Sequence, residues 1–228
     1  MRNFFTKGLV AGVIALLLIA NPVLAVGLNG DFESGNDPGT FATLTAVNNT
    51  DITAWSVDTG SVDYIGTYWN GSNGQRSVDL NGLAQASISQ TFATTLGATY
   101  NVTFDLSGNP DSLSENDPLY SPSVKQVSVT GTGGAPAVYT FDTVAMGNSL
   151  GNMMWQPKSY SFVASGSSAT LTFASQIPGA FGPVIDNVVI TEQAPQCNAT
   201  ASGSIASDTG TTNATDSLAA VLVSWIHP

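Results

Sequence analysis

Cysteine, histidine and basic residues are scarce in this chain of 228 residues. The single cysteine, Cys197, excludes an internal disulfide, and the single histidine, His227, excludes a zinc site built from cysteine and histidine ligands. With one histidine and one cysteine, the chain has almost no residues from which a Ser-His-Asp or Cys-His catalytic site could be built. Lysine and arginine together number 5, too few to neutralise a run of phosphates. The composition therefore argues against a nucleic-acid-binding protein.

Charge of either sign is sparse, and most of it is acidic. Charged residues make up 9% of the chain, against roughly 25% in an ordinary soluble protein. The formal net charge is -11, and serine, threonine and asparagine fill most polar positions. The length suits one domain, or one domain with a tail.

The first 25 residues have the layout of a secretory signal. Arg2 and Lys7 flank the start, an apolar run follows over residues 9–20, and Pro22 precedes a small residue at Ala25. A membrane anchor is the alternative, but the run is short of the about 20 apolar residues that a span needs. We expect cleavage after Ala25, an extracellular location, and no stable membrane span in the mature chain.

Alternation with a period of two dominates the rest of the chain. Over residues 99–106, Tyr100, Val102, Phe104 and Leu106 point one way and polar residues point the other, which is typical of a half-buried strand. Helical periodicity is not convincing anywhere in this body, and Asn-Gly and Gly-Gly turns separate the runs. The pattern predicts an all-β fold, an antiparallel β-sandwich or jelly roll. Similar runs predict further strands at residues 53–57, 61–65, 76–80, 86–92, 124–130, 137–143, 159–164, 168–175 and 184–191.

Two segments interrupt the alternation. Residues 107–123 contain three prolines and several acidic side chains, which indicates a long surface loop. After residue 194 the composition becomes rich in serine, threonine and asparagine, as in a flexible tail, and ends in a short apolar stretch at 218–226. The predicted organisation is a signal peptide at 1–25, a sandwich domain at 26–194 and a tail at 195–228, through which copies could self-associate.

An ordered series of motifs resembles a known family. The series includes Asn29-Gly-Asp-Phe-Glu33, Arg76-Ser-Val-Asp-Leu80, Tyr100-Asn-Val-Thr-Phe104 and Gly182-Pro-Val-Ile-Asp-Asn-Val188. From about residue 28 to 190 the chain resembles the secreted choice-of-anchor C family and is similar to the plant cell-wall proteins of domain of unknown function 642. The resemblance implies a galactose-binding-like jelly roll, an extracellular location, an association with cell wall or polysaccharide, and no known catalytic residues. The sorting or anchoring signal usual in choice-of-anchor relatives is not recognisable in the sequence.

The carboxylate of Asp186 is the first candidate site. In a regular strand, Val184, Asp186, Val188 and Ile190 share a face, and a carboxylate on an apolar face must be paired, hydrogen-bonded or bound to a metal. With few basic residues available, oxygen ligands favour structural Ca²⁺. The alternative is that Asp186 lies in a bulge, reaches solvent or caps a turn by hydrogen bonds.

The family resemblance extends this metal hypothesis. By analogy with calcium-containing jelly-roll modules, Glu33 and Asp186 would be ligands, and Asn29 or Asp31 would add further oxygens. Bound calcium would raise the melting temperature, because it binds the folded state alone.

A group of aromatic residues is the second candidate site. The flat faces of sugar rings stack on aromatic rings, and Tyr64, Tyr68 and Trp69 lie close together beside an Asn-Gly turn. Burial in a core is the alternative for these residues, and it is the interpretation we favour for Trp55 and Trp155. The full predicted sugar site adds hydrogen bonds from Asn70, Asn73 and Gln75 and a second wall from Tyr120.

These observations favour a secreted, non-catalytic module that binds extracellular polysaccharide or cell-wall glycan. A self-assembling structural or adhesive matrix protein and a partner-binding module for a cell-wall enzyme are the alternatives. Asp63 and Asp79 lie on strand-like runs and could form the carboxylate pair of a glycosidase. Because 16 acidic residues make some pair inevitable, this pattern does not predict an enzyme.

Overall fold

The computed structural model describes residues 26–46, 51–113 and 122–193. The predicted signal peptide, the tail and Tyr120 lie outside these ranges. The described part is built from eleven strands, one 3-10 turn and one short helix. In chain order they are β1 (Phe41–Thr45), β2 (Ser56–Thr59), β3 (Ser61–Ile65), β4 (Ser77–Asp79), β5 (Ser87–Ala93), β6 (Thr99–Gly108), the 3-10 turn Pro110–Leu113, β7 (Val124–Gly131), β8 (Ala137–Asp142), α1 (Thr143–Met146), β9 (Gln156–Val163), β10 (Ser168–Ser175) and β11 (Pro183–Glu192).

The strands form two antiparallel sheets. One has six strands in the order β1-β3-β4-β11-β6-β9, and the other has five in the order β2-β5-β10-β7-β8. The chain crosses repeatedly between the sheets, so neighbours in each sheet are mostly distant in sequence. The predicted all-β, jelly-roll type sandwich is confirmed. Ten of the strands overlap predicted segments, and β1 was missed.

The main core lies between the two sheets. Alternate residues point inward, as Val62 and Tyr64 do in β3, and Phe104 contacts Phe173 of the opposite sheet with ring centroids 5.1 Å apart. Trp55 is also buried there, as the sequence favoured. Burial of each such side chain stabilises the fold by about 1.5 to 3 kcal/mol, before the entropy of ordering the chain is counted.

A second, smaller cluster covers the outer face of the six-stranded sheet. Ile65, Trp69, Met153 and Val184 are buried in it, and Tyr68 and Trp155 pack against it. These residues come from the outer side of β3 and β11 and from the loops after β3 and before β9. Loops therefore cover part of the outer face, and a ligand could enter the space that remains between them.

Strand β11 contains a bulge that changes the face of its side chains. Its register against β6 shifts between Asp186 and Val189, and Asn187 has a φ of 52°. The extra residue turns Val188 and Ile190 into the main core. The prediction that Asp186 shares a face with them is wrong, because a bulge inverts the alternation that follows it. Asp186 is the last paired residue before the bulge, which agrees with the first of the alternatives that the sequence left open.

The helical segments are short. Helix α1 has four residues, and in the described ranges no helix has the length and apolar character needed to cross a bilayer.

Candidate functional site

A cleft of about 210 Å³ opens on the outer face of the six-stranded sheet, near its β1 edge. The alternation of β1 and β3 sends their inward residues into the core and turns the others toward this cleft. Loops after β3, β4 and β6 and before β11 complete the walls. The lining residues are Phe41, Thr43, Asp63, Ile65, Tyr68, Trp69, Gly82, Leu83, Asn109, Asp111, Ala180 and Phe181.

Aromatic rings form the apolar part of the cleft. Phe41 is 45% exposed, and its ring meets Tyr68 edge to face at 5.5 Å between centroids. Trp69 lies next to Tyr68 at 5.4 Å but is 3% exposed, and its indole N–H donates to Ser77 Oγ at 2.9 Å. Phe41 and Tyr68 therefore offer ring surface to a ligand, while Trp69 supports them from below.

Carboxylates and an amide form the polar part. Asp63 Oδ1 accepts a hydrogen bond from the Thr43 hydroxyl at 2.6 Å. The Tyr68 hydroxyl donates to Asp111 Oδ2 at 2.7 Å, which raises the pKa of Tyr68. Asn109 Oδ1 accepts from the backbone N–H of Asp111 at 2.9 Å. The cleft thus combines ring faces with hydrogen-bond acceptors, the mixture that recognises a hydroxyl-rich ring.

A second carboxyl group lies behind the cleft. Asp79 is directly opposite Asp63 in the β3–β4 register and is fully buried. Burial raises the pKa of Asp79 to about 8, although hydrogen bonds from Asn109 and Asn81 favour its charged form. Burial also raises the pKa of Asp63, against the hydrogen bond from Thr43.

The Asp63–Asp79 pair does not form an acid–base pair open to substrate. Asp79 is absent from the cleft lining, and its oxygens accept hydrogen bonds from the backbone N–H groups of Asn81 and Gly182 and from the Asn109 amide, at 2.8 to 3.0 Å. Of this pair, a substrate in the cleft would reach Asp63 alone, so Asp63 and Asp79 cannot act together as the acid and base of glycoside hydrolysis there.

The structure brings together only part of the predicted sugar platform. Tyr68 and Trp69 line the cleft, but Tyr64 is buried in the main core, where its hydroxyl donates to Phe32 O and accepts from Arg76. The prediction of a platform containing Tyr64 is wrong, because alternation in β3 turns residue 64 inward. Asn70 and Asn73 are exposed outside the cleft lining, and Trp155 donates to Asn70 O at 3.3 Å.

The predicted metal ligands Glu33 and Asp186 hold a loop. Asp186 Oδ2 accepts from the backbone N–H groups of Ser72 (2.6 Å) and Asn73 (3.0 Å) and from the Ser72 hydroxyl, and Oδ1 accepts from Asn187 N–H. Glu33 Oε1 accepts from the N–H groups of Gln75 and Arg76, both at 2.6 Å. The two carboxylates thus fix residues 71–76, the second half of the loop that carries Tyr68 and Trp69.

Glu33 Oε1 and both oxygens of Asp186 already accept hydrogen bonds, so a calcium ion bound by both carboxylates would compete with the bonds that hold this loop. Burial raises the pKa of Asp186 to about 7 even though four hydrogen bonds favour its charged form. Asn29 and Asp31 line a different groove of about 240 Å³ together with Asn73. Among residues 26–46, 51–113 and 122–193, no group of three or more His, Cys, Asp or Glu side chains could hold a metal ion. Calcium binding stays a prediction.

Several cleft residues were not predicted from the sequence. Phe41, Leu83 and Phe181 come from segments that are adjacent only through sheet pairing, so no local motif links them. The usable signal was the run Phe41–Thr45, in which Ala42 and Leu44 alternate with Phe41 and Thr43. Reading it as a strand would have indicated an exposed phenylalanine on a sheet face.

Known proteins show related sequences and architectures. The chain is 30% identical over 203 residues to halomucin from Haloquadratum walsbyi, and the match covers 82% of this chain and 2% of halomucin. Among solved structures, TmCBM61 in complex with β-1,4-galactotriose has 17% identity and a TM-score of 0.42, and the match covers 75% of this chain and 99% of that one. The CBM35 module from Paenibacillus barcinonensis has 16% identity and a TM-score of 0.41 over 67% of this chain and 99% of that one.

The family model with the description "Protein of unknown function (DUF642)" matches residues 27–191. This range contains all the strands of the described part except the last residue of β11, and the chain therefore belongs to the DUF642 family.

Proposed function

We propose that this protein is a secreted, non-catalytic module that binds extracellular or cell-wall polysaccharide in the cleft on its six-stranded sheet. The observation that carries the proposal is the pairing of exposed ring surface, Phe41 and Tyr68, with the acceptors Asp63 and Asp111 in one cleft. Secretion is supported by the signal-like layout of residues 1–25.

The chemistry of the cleft suits a sugar ring. Such a ring has an apolar C–H face that packs on an aromatic side chain and a rim of hydroxyls that donate to carboxylates and amides. At about 210 Å³ the cleft is smaller than the about 300 to 1,000 Å³ pockets that enclose drug-sized ligands. It would therefore hold one or two units of a longer chain, whose remaining units run along the surface.

The placement of Asp63 and Asp79 supports binding without cleavage. Asp63 is accessible from the cleft, but its cross-strand neighbour Asp79 is fully buried behind it and hydrogen-bonded to N–H donors. A bound glycan would therefore not meet these two carboxyl groups as an acid and base.

The test is retention of the mature chain, residues 26–228, on a panel of insoluble and soluble polysaccharides. We expect Tyr68→Ala to weaken binding to the retained glycan about tenfold, since a lost aromatic contact costs about 1.5 kcal/mol. Tyr68→Phe keeps the ring and loses the bond to Asp111, so it separates stacking from hydrogen bonding.

Leu96→Ala is the matched control, because Leu96 is 71% exposed in the β5–β6 loop and is absent from the cleft lining. Wild-type affinity in a folded Tyr68→Ala variant would remove the cleft from the proposal. Absence of binding to any polysaccharide would remove the function itself.

A further inference from the structure

The charged side chains that line the cleft in the described part of the chain are all acidic. Asp63 and Asp111 line it, and no lysine or arginine does so in the described part of the chain. A ligand entering the cleft therefore meets negative charge on more than one wall.

Three basic residues follow the predicted signal peptide, and each already has a hydrogen-bond partner. Arg76 lies over the Tyr64 ring at 5.4 Å and donates to its hydroxyl, and Lys158 donates to Gln156 Oε1 at 2.9 Å. Lys125 is fully buried and donates to Phe181 O at 2.7 Å. None of these three residues lines the cleft. An anionic sugar would find no cation there to offset the carboxylates.

Asp63 is the carboxylate best placed to gain from a cation. It is half-buried on β3, its hydrogen bond comes from the neutral Thr43 hydroxyl, and Asp79 lies opposite it on β4. Burial without a positive partner raises the pKa of Asp63, so its charged form is poorly solvated by the protein. A cationic group on a ligand would supply the missing partner.

We propose that the cleft selects its glycan by charge, taking sugars that carry a protonated amine, whose ammonium pairs with Asp63, and rejecting uronic acids. This inference rests on the proposed function, because it names the class of sugar for the same cleft. The ammonium donates up to three hydrogen bonds, which Asp63 and the neighbouring Asp111 can accept. A carboxylate on the sugar would be placed against the same two groups and repelled.

The experiment compares three hexamers that share one β-1,4-linked glucose backbone. They are the hexamers of glucosamine, glucose and glucuronic acid, which carry positive, neutral and negative units. Affinities are measured by calorimetry on residues 26–228 at about pH 6, where amine and carboxylate are both charged to a useful extent. We expect the glucosamine hexamer to bind about tenfold more tightly than the glucose hexamer, and the glucuronic acid hexamer to bind least.

Two changes should remove the advantage of the glucosamine hexamer over the glucose hexamer, whatever they do to the affinity for the glucose hexamer itself. Asp63→Asn keeps an acceptor for Thr43 but loses the charge, and raising the salt concentration screens the charge in the unmutated protein. Asp58→Asn is the matched control, because Asp58 lies on β2 of the other sheet and likewise accepts a hydrogen bond from a hydroxyl, that of Ser89.

The outcomes separate the two proposals. Equal or tighter binding of the glucose or glucuronic acid hexamer by the unmutated protein would overturn charge selection, and the carbohydrate-binding function would stand if Tyr68→Ala still weakened that binding. An amine preference that survives both Asp63→Asn and high salt would also overturn the assignment to Asp63. Failure of every glycan to bind would overturn both.

Discussion

Asp79 is a carboxyl group that the fold removes from water completely. Its cross-strand neighbour is Asp63, and the coulombic effects of that carboxylate and of Lys125 on its pKa oppose each other. Burial dominates and raises the pKa of Asp79 to about 8. Asn81 Oδ1 is buried without a hydrogen-bond partner in the described part and lies on the same side of Gly182 as the Asp79 carboxyl. A proton on Asp79 would give this acceptor a donor.

The stability of the protein should fall as the pH rises from 5 to 8. The pKa of Asp79 is about 8 in the folded chain against an ordinary 3.8, so the folded state binds the proton more tightly. The stability from this group is present in full below 3.8 and is lost as the pH rises through 8. Asp186, with its pKa raised to about 7, acts in the same direction. We expect Asp79 alone to account for a loss of about 4 kcal/mol over this range, with a further loss from Asp186, measured by denaturant unfolding at several pH values.

The effect is assigned to Asp79 by the slope of the unfolding free energy against pH, and not by the stability at any single pH. Asp79→Asn removes one titrating group and should reduce the dependence to the part that comes from Asp186, even if the new amide fits its N–H partners poorly and lowers stability at every pH. Asp58→Asn removes an exposed carboxylate on β2 and should leave the slope unchanged. A slope that is the same in Asp79→Asn as in the unmutated protein would show that Asp79 ionises normally.

The loop between β3 and β4 is fixed by two separate means. Its first half carries Tyr68 and Trp69, which pack in the outer cluster. Its second half, residues 71–76, has few apolar side chains and is held through backbone N–H groups by Glu33 and Asp186. Because both halves belong to one short segment, loosening the second half should displace the rings that line the cleft.

Gly74→Ala tests this coupling. Gly74 has a φ of 81°, and a Cβ there would overlap the Glu33 carboxylate. We expect a loss of about 2 kcal/mol in unfolding free energy, together with weaker glycan binding, because the N–H groups of Gln75 and Arg76 would leave Glu33.

Gly97→Ala is the matched control for backbone strain. Gly97 has nearly the same φ, 80°, but a Cβ there would meet nothing within 4 Å. Gly97→Ala should lower the unfolding free energy by about 1 kcal/mol from backbone strain alone and leave glycan affinity unchanged. Equal losses of stability in the two variants, with equal glycan affinity, would mean that Glu33 does not hold the loop.

At the scale of elements, the alternation of apolar and polar residues predicted the strands well. It did not predict the bulge in β11. The pattern of β6 alone indicates which residues are buried, since each face repeats every second residue. In β11 the residues Val184, Asp186 and Val188 keep the same pattern in the sequence, but Asn187 in the left-handed region shifts the register. A single polar residue gives no local signal strong enough to predict that shift. The role of Asp186 therefore required the structure.

At the scale of the whole molecule, the cleft depends on sheet order. Phe41 and Asp63 line the same cleft because β1 pairs with β3, and Phe181 lines it too because the loop before β11 returns to the same face. The sequence places Tyr68 and Trp69 together because they are consecutive, which is why this part of the site could be predicted. The remaining walls come from long-range pairing, which local patterns do not encode.

The strand pairs, both hydrophobic clusters and the cleft-lining residues that the structure describes lie between residues 26 and 193. We expect residues 26–194 to fold alone, with a melting temperature within about 3 °C of that of residues 26–228, because a shift of that size corresponds to less than about 1 kcal/mol. Glycan affinity per molecule should also be equal. Scanning calorimetry and calorimetric titration check both statements, and size-exclusion chromatography shows whether the tail causes self-association. A shorter chain that is unfolded, or that loses glycan binding while folded, would place part of the core or of the site after residue 194.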